Sequence, residues 1–250
     1  HLFDIKDFSL NYPRGQKELL SPLQKFHATD TVKWFENRGV DLKHESDGRM
    51  FPITNSSETI IDCFIKETSK HKVKLFKKRN VTAIEKLQDG GMALSINKGE
   101  AFIADSVLIA TGSKPIGYEL AKSLGHSITE IAPSLFTFKI DDLVLENLSG
   151  TSFANATLTL KIKNVKPFIQ NGALLITHWG LSGPALLKLS AWAAREMMHS
   201  NYKAKIIVNW LSIENFSVAE NLLKDIKNNN TKTSIGNAYP KALTKRFWLQ

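Results

Sequence analysis

The sequence predicts a mixed fold of the α/β and α+β classes. Three observations support this. Short strands with alternating apolar residues follow one another in the first half. A β-branched run then leads through a glycine corner into a helix at 106–126, and longer strands surround an apolar helix in the second half. With 250 residues, 42% of them hydrophobic, the chain can form one large core or two smaller ones.

The composition favours a cytoplasmic protein. The chain contains no run of 18 apolar residues and no secretion signal, so no membrane partner is expected. The single cysteine, Cys63, can form neither an internal disulfide nor a cysteine cluster, and its apolar surroundings predict a core position. No metal site is predicted.

The charge balance raises nucleic acid as a partner, since 33 Lys and Arg against 24 Asp and Glu give a net charge of +9. The densest basic segment, KHKVKLFKKRN (70–80), alternates lysines with Val73 and Leu75. This spacing favours a strand over 72–76 with a solvated lysine face over a phosphate-binding stripe. A nucleic-acid-binding module therefore remains only an alternative function, beside a fragment without catalytic activity.

Capping and turn residues define the elements of the first half. A helix is predicted from Asp30 or Thr31 to Gly39, and a second over 57–70, capped by Ser56 or Ser57. Its apolar face would contain Ile60, Ile61, Phe64 and Ile65. Strands at 81–87, 92–96 and from 100 onward predict a three-stranded antiparallel meander, followed by a buried parallel strand at 107–110 and a helix at 117–126.

The second half has a different character, with strands predicted at 134–140, 156–163, 173–177 and 204–210. One long helix is predicted at 182–200, another within 215–230, and an amphipathic helix at the end of the chain, over 241–250. We therefore predict three regions: 1–133, a β-rich region at 134–215, and the start of a helical domain at 216–250.

Three segments are candidates for a functional site. The Thr111-Gly112 corner joins a strand to a helix, where open α/β sheets bind ligands, although an ordinary turn has the same pattern. In LLITHWGLSGP (174–184) a buried strand is predicted to run into a turn at 177–180, after which 182–184 open a helix capped by Ser182. The free amides at the helix start could face an anion, although a purely structural strand-to-helix junction has the same pattern. His178 is a candidate acid or base there.

The third segment is DGRMFP (47–52). Arg49 can either pair with Asp47 or another nearby carboxylate as a structural contact, or bind an acidic group of a substrate or a phosphate of a cofactor. The structural pairing is the favoured interpretation.

Together these segments resemble the BaiN-like and aminoacetone oxidase-like family of FAD-dependent oxidoreductases. The resemblance is carried by NYPRGQKELL (11–20), WFENRGVDLKHESDGRMFPITNSSETIIDC (34–63), LIATGSKPIGYELAKSLGHSI (108–128) and GALLITHWGLSGPALLKLSAWAARE (172–196). It implies a partial two-dinucleotide-binding flavoprotein domain with a β-meander, followed by a β-rich, barrel-like domain with a long helix. The implied cofactor is FAD, with NADH or NADPH as reductant and a small molecule as substrate.

The resemblance also implies roles for individual residues. The backbone of Val81 would cover the adenine, and Thr111, Gly112 and Ser113 would approach the cofactor. The residues expected to face flavin or substrate are Arg49, Thr177, Gly180, Ser182 and Gly183, with His178 as the catalytic candidate. If the junction lines such a crevice, leucine at Gly183 should lower turnover and leave the helix stable.

Members of that family begin with a glycine-rich unit that holds the FAD pyrophosphate, and this chain contains no GxGxxG motif. We therefore expect a central fragment that binds FAD weakly and is inactive by itself. The corner ATGSKPIGYE is shorter than the corresponding loop of many members.

Overall fold

The computed structural model describes residues 4–45, 48–140 and 143–250, and the chain divides into two compact units, 1–130 and 131–250. Asp47, the residue expected to pair with Arg49, lies outside the described residues. Each unit is described by itself below. Among the described residues, no helix has both the length and the apolar character needed to cross a membrane.

The first unit combines helices with two small antiparallel sheets. In chain order its elements are α1 (Ile5–Ser9), α2 (Gln16–Lys25), α3 (Ala28–Glu36), β1 (Leu42–His44), β2 (Met50–Pro52), α4 (Ser57–Lys70), β3 (Val81–Lys86), β4 (Met92–Ile96), β5 (Glu100–Ala104) and α5 (Pro115–Ser123). β1 pairs with β2, and β3, β4 and β5 form the predicted antiparallel meander in that order.

Helix α3 begins earlier than predicted. The N-cap is His27, whose imidazole Nδ1 accepts a hydrogen bond from the Thr29 amide at 3.2 Å. The carboxylate of Asp30 accepts from the His27 amide at 3.0 Å, so Asp30 is the third residue of a capping box rather than the cap. The prediction of a helix beginning at Asp30 or Thr31 was wrong because it did not consider histidine as a cap.

Helix α4 has the predicted bounds and the predicted cap, Ser56. Its apolar face is only partly correct. Cys63 is buried, as expected, and Ile60 is half-buried, whereas Ile61, Phe64 and Ile65 are exposed. Phe64 still contacts α3, because its ring lies 5.5 Å from that of Trp34.

Two predicted strands of the first unit do not form. Residues 72–76 lie in an exposed loop. The apolar run 107–110 lies in no sheet, and Leu108 is 90% exposed. A buried parallel strand needs hydrogen-bonded neighbours on both sides, and in the described residues none lies beside this run. Helix α5 begins at Pro115, slightly before the predicted start, and buries Leu120.

The second unit is built on a five-stranded antiparallel sheet. Its elements are β6 (Phe138–Lys139), β7 (Ser152–Lys161), β8 (Phe168–Thr177), β9 (Gly180–Ser182), α6 (Pro184–Trp192), α7 (Ala194–His199), β10 (Lys205–Asn209), α8 (Phe216–Asn229) and α9 (Lys245–Trp248). The strand order is β10-β7-β8-β9-β6. The mixed α/β composition agrees with the predicted class, and the sheet is the β-rich part expected after the meander.

The core of the second unit lies between this sheet and α6. Its fully buried residues come from β7, β8, β9 and α6 and include Leu158, Leu160, Leu174, Ile176, Leu181, Leu186 and Leu189. Because the inward residues of β7 alternate with less buried ones, burial follows the two-residue period of the strand.

Three predictions for this unit need correction. The strand expected over 134–140 is limited to β6, since Leu135 has a left-handed backbone with φ of 57°. The expected helix at 182–200 is two helices that meet at Ala193. The amphipathic helix expected over 241–250 is limited to α9 and its Thr244 cap.

Candidate functional site

The segment 174–184 forms a hairpin before its helix begins. β8 ends at Thr177, a two-residue turn of His178 and Trp179 follows, and β9 returns along β8 with Thr177 opposite Gly180. The Thr177 hydroxyl donates to the Gly180 carbonyl oxygen at 3.2 Å. The predicted strand and the turn that contains His178 are present, but the predicted strand-to-helix junction missed β9.

Gly180 and Gly183 are both required by close backbone packing. A Cβ at Gly180 would overlap the Phe138 carbonyl oxygen and lie 2.5 Å from the Ile140 amide nitrogen. A Cβ at Gly183 would lie 2.8 Å from the carbonyl oxygen of Ala173, a residue of β8. Both glycines also have positive φ, 147° and 110°. At both positions the neighbouring backbone therefore leaves no room for a side chain.

The predicted cap of helix α6 is also incorrect. Gly183 is the N-cap and makes no side-chain capping bond, while Ser182 lies in β9 opposite Leu175. Pro184 occupies the first turn, as expected for a residue without a free amide hydrogen. The start of α6 therefore packs against β8, which makes it a structural junction.

The tip of the hairpin is the part of this segment that a ligand can reach. His178 is exposed, and Trp179 is 46% exposed with its ring centroid 4.1 Å from the imidazole, edge to face. An aromatic ring beside an imidazole offers both a stacking surface and a group able to hold a proton. Of the predicted residues here, His178 is therefore the one whose side chain is available for chemistry.

The corner at 111–114 is an exposed turn, unlike the packed segment at 180–183. The Lys114 amide donates to the Thr111 carbonyl oxygen at 3.3 Å, and Gly112 has a φ of 61°. A Cβ added at Gly112 would meet no atom within 4 Å, so this glycine is required by its backbone conformation alone. Thr111, Gly112 and Ser113 are all exposed, and the turn is open to a ligand.

Helix α5 holds this turn in place through Gly117. A Cβ at Gly117 would overlap Oγ1 of Thr111, so the absence of a side chain lets the threonine pack onto the helix. The Gly117 amide donates to the Lys114 carbonyl oxygen at 3.1 Å. Gly117 was not among the predicted site residues, although a glycine in the first turn of a helix is a signal for close packing there.

Val81 begins β3, an edge strand of the meander, where it pairs with Ile96. The register shifts between Val81 and Ala83, which marks a β-bulge at the start of the strand. Because only β4 pairs with β3 in the described part of the chain, one backbone edge at Val81 has no strand partner.

Arg49 lies on the hairpin that leads into β2. The Glu45 amide donates to the Arg49 carbonyl oxygen at 2.8 Å, and the guanidinium carbon lies 5.4 Å from the centroid of the Phe51 ring. The side chain is exposed. The alternatives of a structural contact and a ligand contact are therefore both consistent with its position.

A cavity of about 900 Å³ in the first unit was not predicted. It lies among α1, α2, α3, α4 and the β1–β2 hairpin, and its aromatic lining comes from Phe8, Tyr12, Phe26, Phe35 and Phe51. The available signal was the repeated aromatic residues of the first 51 positions, which the sequence analysis did not connect.

The chain can be assigned to a known protein family. Residues 1–236 match the family described as HI0933-like protein Rossmann domain, and the chain belongs to that family. The flavoprotein family predicted from the quoted segments is thereby confirmed.

Curated relatives match most of this chain. It is 27% identical over 190 residues to a ribosomal RNA dihydrouridine synthase of Escherichia coli, covering 72% of this chain and 46% of the relative. It is 25% identical over 197 residues to a 3-dehydro-bile acid delta(4,6)-reductase of Clostridium scindens, covering 76% and 47%. A ribosomal RNA dihydrouridine synthase of Haemophilus influenzae is 26% identical, covering 68% and 44%. The matches thus span less than half the length of each relative.

Proposed function

We propose that this chain is the central part of an FAD-dependent oxidoreductase that saturates a carbon–carbon double bond. The observation that carries the proposal is the family match over residues 1–236. The names of the relatives support the reaction class, because dihydrouridine synthesis and delta(4,6)-reduction both describe the reduction of a ring double bond. A cytoplasmic location remains part of the proposal.

Two features of the described residues support a contact with FAD. The open turn at Gly112 allows close approach of a cofactor, and the unpaired edge of β3 at Val81 offers backbone groups to an adenine. The chain contains no GxGxxG loop of the kind that binds a pyrophosphate through several amides. Val81, Thr111, Gly112 and Ser113 are therefore the residues proposed to contact the cofactor.

FAD, when bound, supplies hydride transfer, with NADH or NADPH as the proposed source of the two electrons. One carbon of the double bond receives the hydride, and the other carbon must receive a proton. His178 is the residue we propose to hold that proton, since its imidazole is exposed at the tip of the hairpin. Trp179 would limit its orientation through the ring contact at 4.1 Å.

The remaining predicted residues have smaller proposed roles. Arg49 is proposed to contact an acidic group of substrate or cofactor through its exposed guanidinium. Thr177, Gly180, Ser182 and Gly183 are proposed to shape the hairpin that presents His178, because their backbones pack within the sheet.

The proposal is tested on a polypeptide of the relatives' length that contains this chain. We expect flavin absorbance bands that remain after gel filtration and that bleach when NADH or NADPH is added without oxygen. The 250-residue chain alone is expected to retain little FAD. If the polypeptide of the relatives' length retains no flavin even when it is prepared with added FAD, the proposal is contradicted.

The role of His178 is tested by His178→Gln in the same polypeptide. We expect an unchanged rate of flavin reduction by NADH or NADPH, and at least about a tenfold slower reoxidation by the double-bond substrate, as expected for loss of a proton donor. His126→Gln is the matched control, since His126 is also an exposed histidine but lies in the other unit. Equal reoxidation rates in both variants would exclude a catalytic role for His178.

A further inference from the structure

The loop between α4 and β3, residues 71–80, is the most basic segment of the chain and is exposed throughout. It contains Lys72, Lys74, Lys77, Lys78 and Arg79 and no carboxylate. We call it the basic loop. The predicted strand at 72–76 does not form, whereas its lysines are exposed to solvent, as predicted.

Both ends of the basic loop are anchored. At its start, the Val73 amide donates to the Thr68 carbonyl oxygen at 2.8 Å. At its end, the Asn80 amide donates to Oδ1 of Asn97 at 3.1 Å, and the Asn97 amide donates to the Asn80 carbonyl oxygen at 3.0 Å. These bonds tie the loop to α4 and to the connection between β4 and β5.

The middle of the loop is held by one ring contact and one ion pair. The ring of Phe76 lies 5.6 Å from that of Phe102 on β5, edge to face. The Arg79 guanidinium lies 2.8 Å from the Glu100 carboxylate. Phe76 and Arg79 therefore fix the loop to the meander, which reduces the entropy lost when the neighbouring lysines bind a partner.

Four lysines of the anchored loop are not neutralised. Within the described part of the chain, Lys72, Lys74, Lys77 and Lys78 make no ion pair with a carboxylate. The seven positions from 72 to 78 therefore hold four ammonium groups without a carboxylate partner among the described residues.

From this arrangement we infer that the basic loop is a docking surface for the phosphate backbone of RNA. Four uncompensated ammonium groups in one anchored segment match a polymer that presents a regular row of phosphates. The inference extends the proposed function, because RNA would then be the polymer that contains the reduced ring. Two of the relatives carry names of enzymes for ribosomal RNA.

The test measures binding of a fluorescein-labelled, single-stranded 20-nucleotide RNA of mixed sequence to the 250-residue chain between 50 and 300 mM salt. Over about this range of salt concentration, the affinity of a protein that contacts phosphates falls strongly. The variant replaces Lys72, Lys74, Lys77 and Lys78 by Gln. The matched control replaces four exposed lysines on separate elements by Gln: Lys33, Lys122, Lys188 and Lys232.

We expect the loop variant to bind RNA at least about tenfold more weakly at 0.1 M salt, and the slope of log Kd against log salt to fall by about 3. The control variant should change affinity by less than about threefold. Equal losses in the two variants would show that net charge alone determines binding and would overturn the inference. No RNA binding by the unmodified chain, or binding of phosphatidylserine vesicles in preference to RNA, would also overturn it.

A separate measurement distinguishes this inference from the proposed function. In the polypeptide of the relatives' length, the loop variant should keep its flavin content and its reduction by NADH or NADPH. If the polypeptide contains no flavin, the oxidoreductase proposal is contradicted, whatever the RNA affinity. If its flavin chemistry is normal and the loop variant binds RNA as tightly as the unmodified protein, only the docking surface is contradicted.

Discussion

The two segments predicted to join a strand to a helix have opposite environments. In 177–184 the backbones of Gly180 and Gly183 press against neighbouring strands, whereas the backbone of Gly112 in 111–114 faces open space. The difference comes from the strands before them. β8 pairs with both β7 and β9, while the run 107–110 has no neighbour in the described residues. A glycine after an apolar run therefore indicates a turn, and only the neighbouring strands decide whether that turn is packed or open.

The same contrast extends to the two units. The second unit encloses a continuous core under α6. In the first unit the buried apolar residues among those described are only Val40, Cys63, Ile84 and Leu120, whereas exposed apolar side chains occur in both units. The first unit therefore buries less apolar surface in its core. We therefore expect the first unit to be the less stable of the two.

The largest effect is expected from Gly180→Ala. The added Cβ would overlap the Phe138 carbonyl oxygen, and alanine would also need a φ near 147°. We expect a loss of about 3 kcal/mol or more in the unfolding free energy of the second unit. Urea unfolding followed by Trp210 and Trp248 fluorescence would measure it.

Gly150→Ala is the control for that substitution, because Gly150 lies in the same unit with a φ of 85° but has open space at its Cβ. It should cost only about 1–2 kcal/mol, the cost of a left-handed backbone. If Gly180→Ala and Gly150→Ala cost the same, the packed junction does not depend on close approach.

Gly183→Leu should have the next largest effect. The sequence analysis expected leucine to leave the helix stable, but a Cβ there would lie 2.8 Å from the Ala173 carbonyl oxygen and 3.0 Å from Cα of Leu174. We now expect a loss of about 2–3 kcal/mol. A change of less than about 0.5 kcal/mol, measured by the same urea unfolding, would restore the earlier expectation.

The elements that could be predicted from sequence are those set by local patterns. Alternation and the turn at Asp89-Gly90-Gly91 identify the meander, and Ser56 marks the start of α4. β9 could not be predicted in this way, because Gly180-Leu181-Ser182 is too short for any periodicity. The environment of 107–110 depends on neighbouring strands rather than on its own residues.

The candidate site could be predicted to a smaller extent. His178 and Gly112 are at exposed positions, as a ligand contact requires, while the role of Gly183 was misjudged because its contact with β8 is not local in sequence. The anchoring of the basic loop involves Phe76 and Phe102, 26 positions apart, and no local pattern connects them.

Gly112→Ala should have a smaller effect than Gly180→Ala or Gly183→Leu. The added Cβ meets no atom within 4 Å, so the cost is limited to the left-handed backbone, about 1–2 kcal/mol. Gly112→Asn should cost less, since asparagine tolerates this conformation. If both variants keep full FAD content in the polypeptide of the relatives' length, the turn does not contact the cofactor.

The smallest effect is expected from an ion pair that joins α4 to the end of α3. The Arg38 guanidinium donates to the Glu67 carboxylate at 2.7 Å and to the Trp34 carbonyl oxygen at 2.9 Å, and it lies 3.8 Å from the centroid of the Trp34 ring. The hydrogen bond from Arg38 lowers the pKa of Glu67 below its ordinary value of 4.5.

A lowered pKa means that the pair stabilises the first unit above about pH 4.5, and that this stabilisation is lost as the pH falls through the lower folded-state pKa. Glu67→Gln should therefore lower Tm by a few degrees at pH 7, and the difference from the unmodified chain should shrink as the pH falls below about 4.5. Glu220→Gln is the matched control, because Glu220 pairs with Lys224 at 2.8 Å on the exposed surface of α8, where an ion pair contributes little. Calorimetry at several pH values measures these Tm values, and it distinguishes the two units when they unfold in separate transitions. A Tm difference for Glu67→Gln that does not change with pH would show that side-chain packing, rather than the charge of Glu67, connects the two helices.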